Sequence, residues 1–228
     1  MGKTLSARRY AHWDSIAPYL HRRMHTERYR WPGEVPPALG TSRTVVWTPE
    51  VFVTPRQTQY QVESQCDAFA TALRSLPTRT WPSPRAELIV VDEADRLRPA
   101  SLEQLRDFYD RRSLGLVLIG MPGIERRLAR YPQLYSRVGF AHEYRPLGAE
   151  ELAFVLANHW EALGLRVPSG EFNDPEALAA VSRITGGNLR LVQRLFAQIS
   201  RILEINELTS VTKAAVETAR ESLIIGPP

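Results

Sequence analysis

Two carboxylates, Asp92 and Glu93, close the run Leu88-Ile89-Val90-Val91 in the stretch LIVVDEADRL. Four consecutive apolar residues predict a strand covered on both faces. Open α/β sheets bind their ligands at the carboxyl ends of the strands, so both acids stand where chemistry is done. In a nucleotide-hydrolysing site Asp92 would hold Mg2+ through its water shell. Glu93 would orient and polarise the attacking water. The same letters also fit a strand that ends in a solvated acidic turn. D-E-A-D invites a helicase reading too, but that class needs two full recombinase-like domains, which 228 residues cannot supply.

Gly2-Lys3-Thr4 offers the complementary groups. The tripeptide ends the phosphate-binding loop G-x-x-x-x-G-K-[ST]. Lys3 would reach the β and γ phosphates as a point charge. The Thr4 hydroxyl would ligate Mg2+, and the start of a helix would favour the anion. A tripeptide arises often by chance. Its position carries the weight, because it opens a helix and precedes Asp92-Glu93 in the order this chemistry uses. Two arginines complete the set: Arg137 in LYSRVGF and Arg190 in TGGNLRLV. A γ-phosphate in flight spreads charge over three oxygens, and a guanidinium aimed at it is worth about 10³–10⁵ in rate. Each arginine also fits a surface salt bridge.

The elements that must hold these groups follow from the hydrophobic pattern. Lys3–Arg23 reads as a helix through Leu5, Tyr10, Trp13, Ile16, Ala17 and Leu20. WPGEVPPALGT, residues 31–41, reads as a loop, and 77–84 as a second proline-rich connection. The first part of Arg43–Val53 is a strand, and Ser64–Leu76 a short helix. Leu88–Val91 and Leu114–Ile119 are buried strands, with helices at Pro99–Arg112 and Gly123–Tyr131. Ala141–Tyr144 reads as a further short strand, the third after those two. Strands alternating with helices predict a parallel α/β sheet. After Pro146 only helices follow, at Ala149–Leu163, Pro175–Thr185, Leu189–Asn206 and Thr212–Leu223. Asp174 before Pro175 is a helix start, and Gly186-Gly187 a stop. The chain is therefore expected to divide into an α/β domain, 1–146, and an all-helical domain, 147–228.

Composition narrows the class. The chain is 43% hydrophobic and 24% charged, with a net charge of +4, which is ordinary for a globular protein. No apolar run approaches the roughly 20 residues that cross a bilayer, so no membrane role is expected. Cys66 is the single cysteine; an intrachain disulfide is excluded, and a reducing, cytoplasmic home is expected. Lys3 and Lys213 are the only lysines. The arginine bias suits bidentate phosphate contacts and fits a GC-rich genome equally. His21 and His25 sit four apart, a metal spacing, without a further ligand cluster. Trp13, Trp47 and Trp160 read as core.

Together these residues resemble the AAA+ ATPases. Gly2-Lys3-Thr4 matches the end of Walker A, and LIVVDE matches Walker B. Arg137 matches the arginine finger given to a neighbouring subunit, and G-G-N-L-R, ending at Arg190, matches sensor 2 on the helical lid. The resemblance implies a P-loop NTPase core with a lid, ATP and Mg2+ as ligands, and ATP hydrolysis. GKTLSARRYAHWD, LIVVDEADRL, LVLIGMPGIERRL and YSRVGFAHEYRPL further resemble the ATPase helpers of transposons, of the TniB, TnsC and Mu B kind. That likeness implies a ring or filament of identical subunits that binds duplex DNA and recruits a transposase. Initiator-like and secretion-linked AAA+ ATPases share much of the pattern. A catalytically dead interaction module is the reading of a different class.

Two departures from the family pattern stand out. The corner after LVLIG, where the family places a polar sensor 1 residue, carries Gly120, Met121 and Pro122. Hydrolysis is therefore expected to be slow. Met1 alone precedes Gly2, where the family has a central strand and five loop residues. The expectation is that the natural protein starts upstream, a GTG codon at the end of V-G-K-T having been taken as the start. A truncated relic is the competitor. For duplex DNA, the fold positions expected to meet phosphate are Arg56, Gln57 and Thr58 after the second strand of the family fold, and Arg96 and Arg98 after Walker B. Such contacts predict salt-sensitive, sequence-tolerant binding. Arg126, Arg127 and Arg130 share a helix in which packing between subunits is equally expected.

Overall fold

Leu88–Val91 forms strand β2, and its apolar run is explained by burial: Ile89, Val90 and Val91 are all buried. The computed structural model describes residues 2–25, 34–74, 76, 85–168, 170, 172 and 174–223. Strand β1, Thr44–Trp47, is buried along its whole length. It runs parallel to β2 with Val45 opposite Ile89. Strand β3, Gly115–Leu118, pairs with the other edge of β2, parallel again, with Leu116 opposite Ile89. The sheet order is β1-β2-β3. Its outer strand β3 alternates exposed and half-buried residues, as an edge does and a central strand does not.

Helices fill the intervals. The first expected helix is in fact two, α1 (Gly2–Tyr10) and α2 (Trp13–His25). The chain turns at His12, whose φ of 50° is left-handed. The break explains why Trp13, Ile16 and Leu20 are buried while Leu5 and Tyr10, on the other side of it, are exposed. Helix α3 spans Pro55–Arg74, nine residues longer at its start than expected. Val62, Cys66, Phe69 and Leu73, at helical spacing, form its buried stripe. Helix α4, Pro99–Arg112, buries Leu102, Leu105 and Phe108. Two short helices follow, α5 (Ile124–Leu128) and α6 (Pro132–Tyr135).

Ala141–Tyr144 is not a strand. A strand needs a partner edge, and among the described residues the sheet ends at β3. The proline-rich segment 77–84 and the tryptophan-proline start of the 31–41 loop lie outside the described residues.

Contacts divide the chain into two compact units, Gly2–Glu143 and Tyr144 onward. The second contains α7 (Ala149–His159), α8 (Pro175–Thr185), α9 (Leu189–Ile205) and α10 (Lys213–Glu221). Asp174 caps α8, accepting hydrogen bonds from the Glu176 and Ala177 amides. Asn188 does the same for α9 from Arg190 and Leu191. Val192, Leu195, Phe196, Ile199 and Leu203 of α9 are buried. Phe172 stacks edge-on against Phe196 and against the half-buried Trp160. Gly187 adopts φ +78° and its carbonyl accepts from the Leu147 amide, tying the entry of the unit to the α8–α9 turn.

Candidate active site

The ladder of β2 continues one step past its last strand residue. The Asp92 amide donates to Trp47 O at 2.8 Å, and the Ile119 amide to Val91 O at 2.8 Å. Asp92 is thereby fixed at the carboxyl edge, and it is 6% exposed. Its Oδ1 accepts from the Glu93 amide at 3.0 Å and from the Thr4 hydroxyl at 3.1 Å. Thr4 lies in the first turn of α1, so the helix start and the strand end meet at this carboxylate.

Lys3, one residue earlier, donates through Nζ to the carbonyl of Gly120, just past the end of β3. The ammonium therefore stands at the same edge as Thr4 and Asp92. Gly2, Lys3 and Thr4 are all half-buried. No hydrogen bond can reach an anion from Gly2 except through its amide at the helix start, which suits phosphate.

Glu93 adopts the left-handed region at φ 53°, ψ 40°, a rare choice for a residue with a Cβ. The turn sends its carboxylate to Arg96, with which it forms an ion pair. Arg96 also donates from Nη1 to Pro49 O at 3.0 Å. Arg96, one of the three arginines expected on DNA, is thus paired with the acid beside it.

Arg137 is exposed and pairs with Asp110 at 3.4 Å; Asp110 pairs with Arg106 as well. Arg190 is exposed at the start of α9, in the second unit. Arg56 and Arg98 are exposed. Gln57 and Thr58 serve α3 itself. Gln57 Oε1 accepts from the Thr54 amide and hydroxyl, and the Gln57 amide returns a bond to Thr54 Oγ1, a reciprocal helix cap. Thr58 is fully buried and its hydroxyl donates to Thr54 O. It presents nothing to a DNA phosphate, which corrects the expectation from its position.

Asp95, which no motif singled out, shapes the edge together with Gly120 and Arg127. Asp95 Oδ1 accepts from the Met121 amide at 3.1 Å. Gly120 leaves the space for it, since a Cβ there would meet Asp95 Oδ1 at 3.1 Å and Ile124 Cδ1 at 2.5 Å. Arg127 donates to Asp95 O at 2.6 Å and to Leu97 O. For Asp95, the last acid of D-E-A-D was the available signal.

Elsewhere the chemistry is quiet. Burial pushes the Cys66 thiol up to about 12, against a smaller opposing pull from Arg112, so it is no nucleophile at neutral pH. The side chain of His25 lies outside the described ones, and among the described residues no cluster of three or more acids, histidines or cysteines forms a metal cage. One hydroxyl and one buried carboxylate are what a hard cation takes when phosphates and waters supply its other ligands. Thr4 and Asp92 therefore fit Mg2+ delivered with a nucleotide.

A family model described as an AAA domain matches residues 1–128, more than half of the chain. This chain belongs to the AAA domain family. Over 241 aligned residues it is 37% identical to a potential ATP-binding protein of Staphylococcus aureus, covering 99% of this chain and 86% of that one. It is 30% identical to the Mu-like prophage FluMu DNA transposition protein B of Haemophilus influenzae, over 48% of this chain and 38% of that one. It is also 30% identical to general secretion pathway protein A of Aeromonas hydrophila, over 47% and 20%.

Among solved structures, the Thermotoga maritima RuvB Holliday junction branch migration motor matches with a TM-score of 0.54 at 18% identity, over 82% of this AAA chain and 55% of that one. The ORC2 protein of Aeropyrum pernix matches at 0.55 and 19%, over 80% and 54%. These likenesses establish the P-loop NTPase fold. The chain spans just over half the length of these solved chains. No helix among the described residues is long and apolar enough to cross a membrane.

Proposed function

We propose that this AAA protein binds and hydrolyses ATP, and that it acts as an oligomeric, duplex-DNA-binding helper that recruits or stimulates a transposase. The observation that carries the ATP reading is the meeting of Thr4 with Asp92 at the edge where Lys3 also stands. A hydroxyl, a carboxylate and an ammonium converge there from segments far apart in sequence. A core under no chemical demand fills such a place with apolar groups, because burying polar ones costs free energy.

In this reading Lys3 and the start of α1 bind the β and γ phosphates. Thr4 and Asp92 hold Mg2+, which when bound neutralises charge developing on the phosphates. Glu93 leaves Arg96 and accepts a hydrogen bond from the water that attacks the γ-phosphorus. The water oxygen bonds to the γ-phosphorus as the bond from that phosphorus to the β-γ bridging oxygen breaks; ADP and phosphate depart, and the water's proton passes by way of Glu93 to the phosphate. Arg137 acts on the site of a neighbouring subunit, and Arg190 on the γ-phosphate from the lid. Arg56, Arg96 and Arg98 face DNA phosphate. The transposition relative supports the helper role. The secretion relative is as similar over as much of the chain, and supports a secretion-linked ATPase instead.

The test has two arms. Mg-ATP binding by fluorescence titration should be lost in Lys3→Ala and kept in Glu93→Gln, with turnover lost in both. Fluorescence anisotropy with a labelled duplex should show ATP-dependent, salt-sensitive binding. ATP binding without any DNA binding would retire the transposition role in favour of the secretion-linked one; no ATP binding by the unaltered protein would retire both.

A further inference from the structure

We propose that Asp95 is a positioning residue for Lys3, acting through the Gly120–Met121 peptide. The two side chains grip opposite ends of one peptide group. Lys3 donates to its carbonyl, on Gly120. Asp95 Oδ1 accepts from its N–H, on Met121, at 3.1 Å. A cation on the oxygen and an anion on the N–H polarise the amide in the same sense, so each bond strengthens the other.

The geometry is held from both sides. Gly120 has no side chain because the Asp95 carboxylate and Ile124 occupy the space where one would begin. Arg127 fixes the Asp95 main chain by donating to its carbonyl at 2.6 Å. The Ala94 amide donates to Ile119 O at 2.8 Å, locking the acidic turn to the end of β3. Asp95 thus supplies, from the turn after β2, the polar group that the end of β3 does not carry. Its effect on the ammonium is to fix the carbonyl on which Lys3 rests. Lys3 has three N–H donors; one on Gly120 O leaves two to serve an anion.

The role rests on the reading of Lys3 as the phosphate-binding cation, but it can be measured without ATP. The chain has only two lysines, Lys3 and Lys213. Lys213 lies in the other unit, paired with Glu176 at 3.2 Å, and serves as an internal reference. Acetylation by a succinimidyl ester, followed by peptide mass spectrometry, gives the ratio of the two rates in the folded protein. Asp95→Ala should raise the Lys3 rate relative to Lys213 by at least about threefold, the weight of one ordinary hydrogen bond. Asp95→Asn, whose amide oxygen still accepts from Met121, should stay within about twofold of wild type. Asp95→Ser, too short to span to Met121, takes the place of the alanine variant if circular dichroism shows that one unfolded.

An unchanged ratio in the alanine or serine variant overturns the proposal, as does an asparagine variant that labels like alanine. Adding Mg-ATP to wild type separates the two readings. Failure of ATP to slow Lys3 labelling, with the Asp95 effect intact, counts against the ATP site alone. Protection by ATP with no Asp95 effect counts against the positioning role alone.

Discussion

The Thr4 hydroxyl donates to Asp92 Oδ1 at 3.1 Å although 88 residues separate them. The strand ladder fixes the acid and the first turn of α1 carries the alcohol. In the proposed site the pair would supply two ligands of a divalent cation, phosphates and waters supplying the others.

Removing that hydroxyl should therefore weaken nucleotide binding only where the cation takes part. Thr4→Val keeps the shape and deletes the ligand; a hydrogen bond to a charged group is worth about 1.5–3 kcal/mol. The affinity for a fluorescent ATP analogue should fall roughly 10- to 100-fold in Mg2+ and change little in EDTA. Thr4→Ser should recover most of it. Equal losses with and without Mg2+ would remove Thr4 from the cation site.

Glu93 and Arg96 form an ion pair in which both side chains are more than a third exposed. Such pairs are worth about 0–1 kcal/mol, so the hold on Glu93 is weak enough to be released during turnover. Arg96→Ala should leave the thermal midpoint nearly unchanged and basal ATP turnover at or above wild type. Glu93→Gln should lower turnover by about 10² or more while ATP still binds. If Arg96 also meets DNA phosphate, its loss should lower the slope of log affinity against log salt by about one. A turnover loss in Arg96→Ala as deep as in Glu93→Gln would mean that the arginine helps the acid instead of occupying it.

These relations were unevenly legible in the sequence. LIVVDE located β2 and the two acids because a strand covered on both faces has to be apolar throughout, and α4 and α8 follow their expected bounds for equally local reasons. The break at Ala11-His12 was invisible, since no glycine or proline marks the left-handed residue. Ala141–Tyr144 has the letters of a strand, but strand formation needs a neighbouring edge, which local pattern does not report. The start of α3 was missed although Thr54-x-x-Gln57 announced it as a cap. That oversight also made the buried Thr58 a DNA candidate. The Arg96 and Asp95 contacts depend on the left-handed turn at Glu93, so spacing alone could not give them.

Cys66 sits in the buried stripe of α3, and burial pushes its thiol up to about 12. In the unfolded chain the thiol ionises near its ordinary value of 9.0. The folded state binds the proton more tightly, so this contribution to stability is complete below pH about 9 and is lost as pH rises toward about 12. Within that window the stability should fall by up to about 1.4 kcal/mol per pH unit from this group. Chemical denaturation of wild type and Cys66→Ala between pH 8 and 11 isolates it: the difference between the two should shrink with pH. Alkylation by iodoacetamide at pH 8 should be slow in the folded protein and fast in denaturant. Rapid alkylation of the native protein would contradict the burial.

Gly187 joins the entry of the second unit to its α8–α9 turn, and the contact leaves no room for a side chain. A Cβ there would stand 2.0 Å from Leu147 O and 2.9 Å from Leu147 N, at a φ of +78°. Both neighbouring atoms are backbone, so relief requires moving the chain and breaking the bond from the Leu147 amide to Gly187 O. Left-handed strain adds roughly 1–2 kcal/mol, and the overpacking typically 1–3 kcal/mol. Gly187→Ala should thus destabilise the second unit by about 2–4 kcal/mol, read as an earlier unfolding transition. Gly40→Ala, where a Cβ would meet nothing within 4 Å, is the matched control and should be nearly neutral. Hydrogen exchange places the loss: protection in α8 and α9 should drop, while that of β1 and β2 in the other unit stays. An alanine at 187 as stable as the wild type would mean that Leu147 is not seated against this turn.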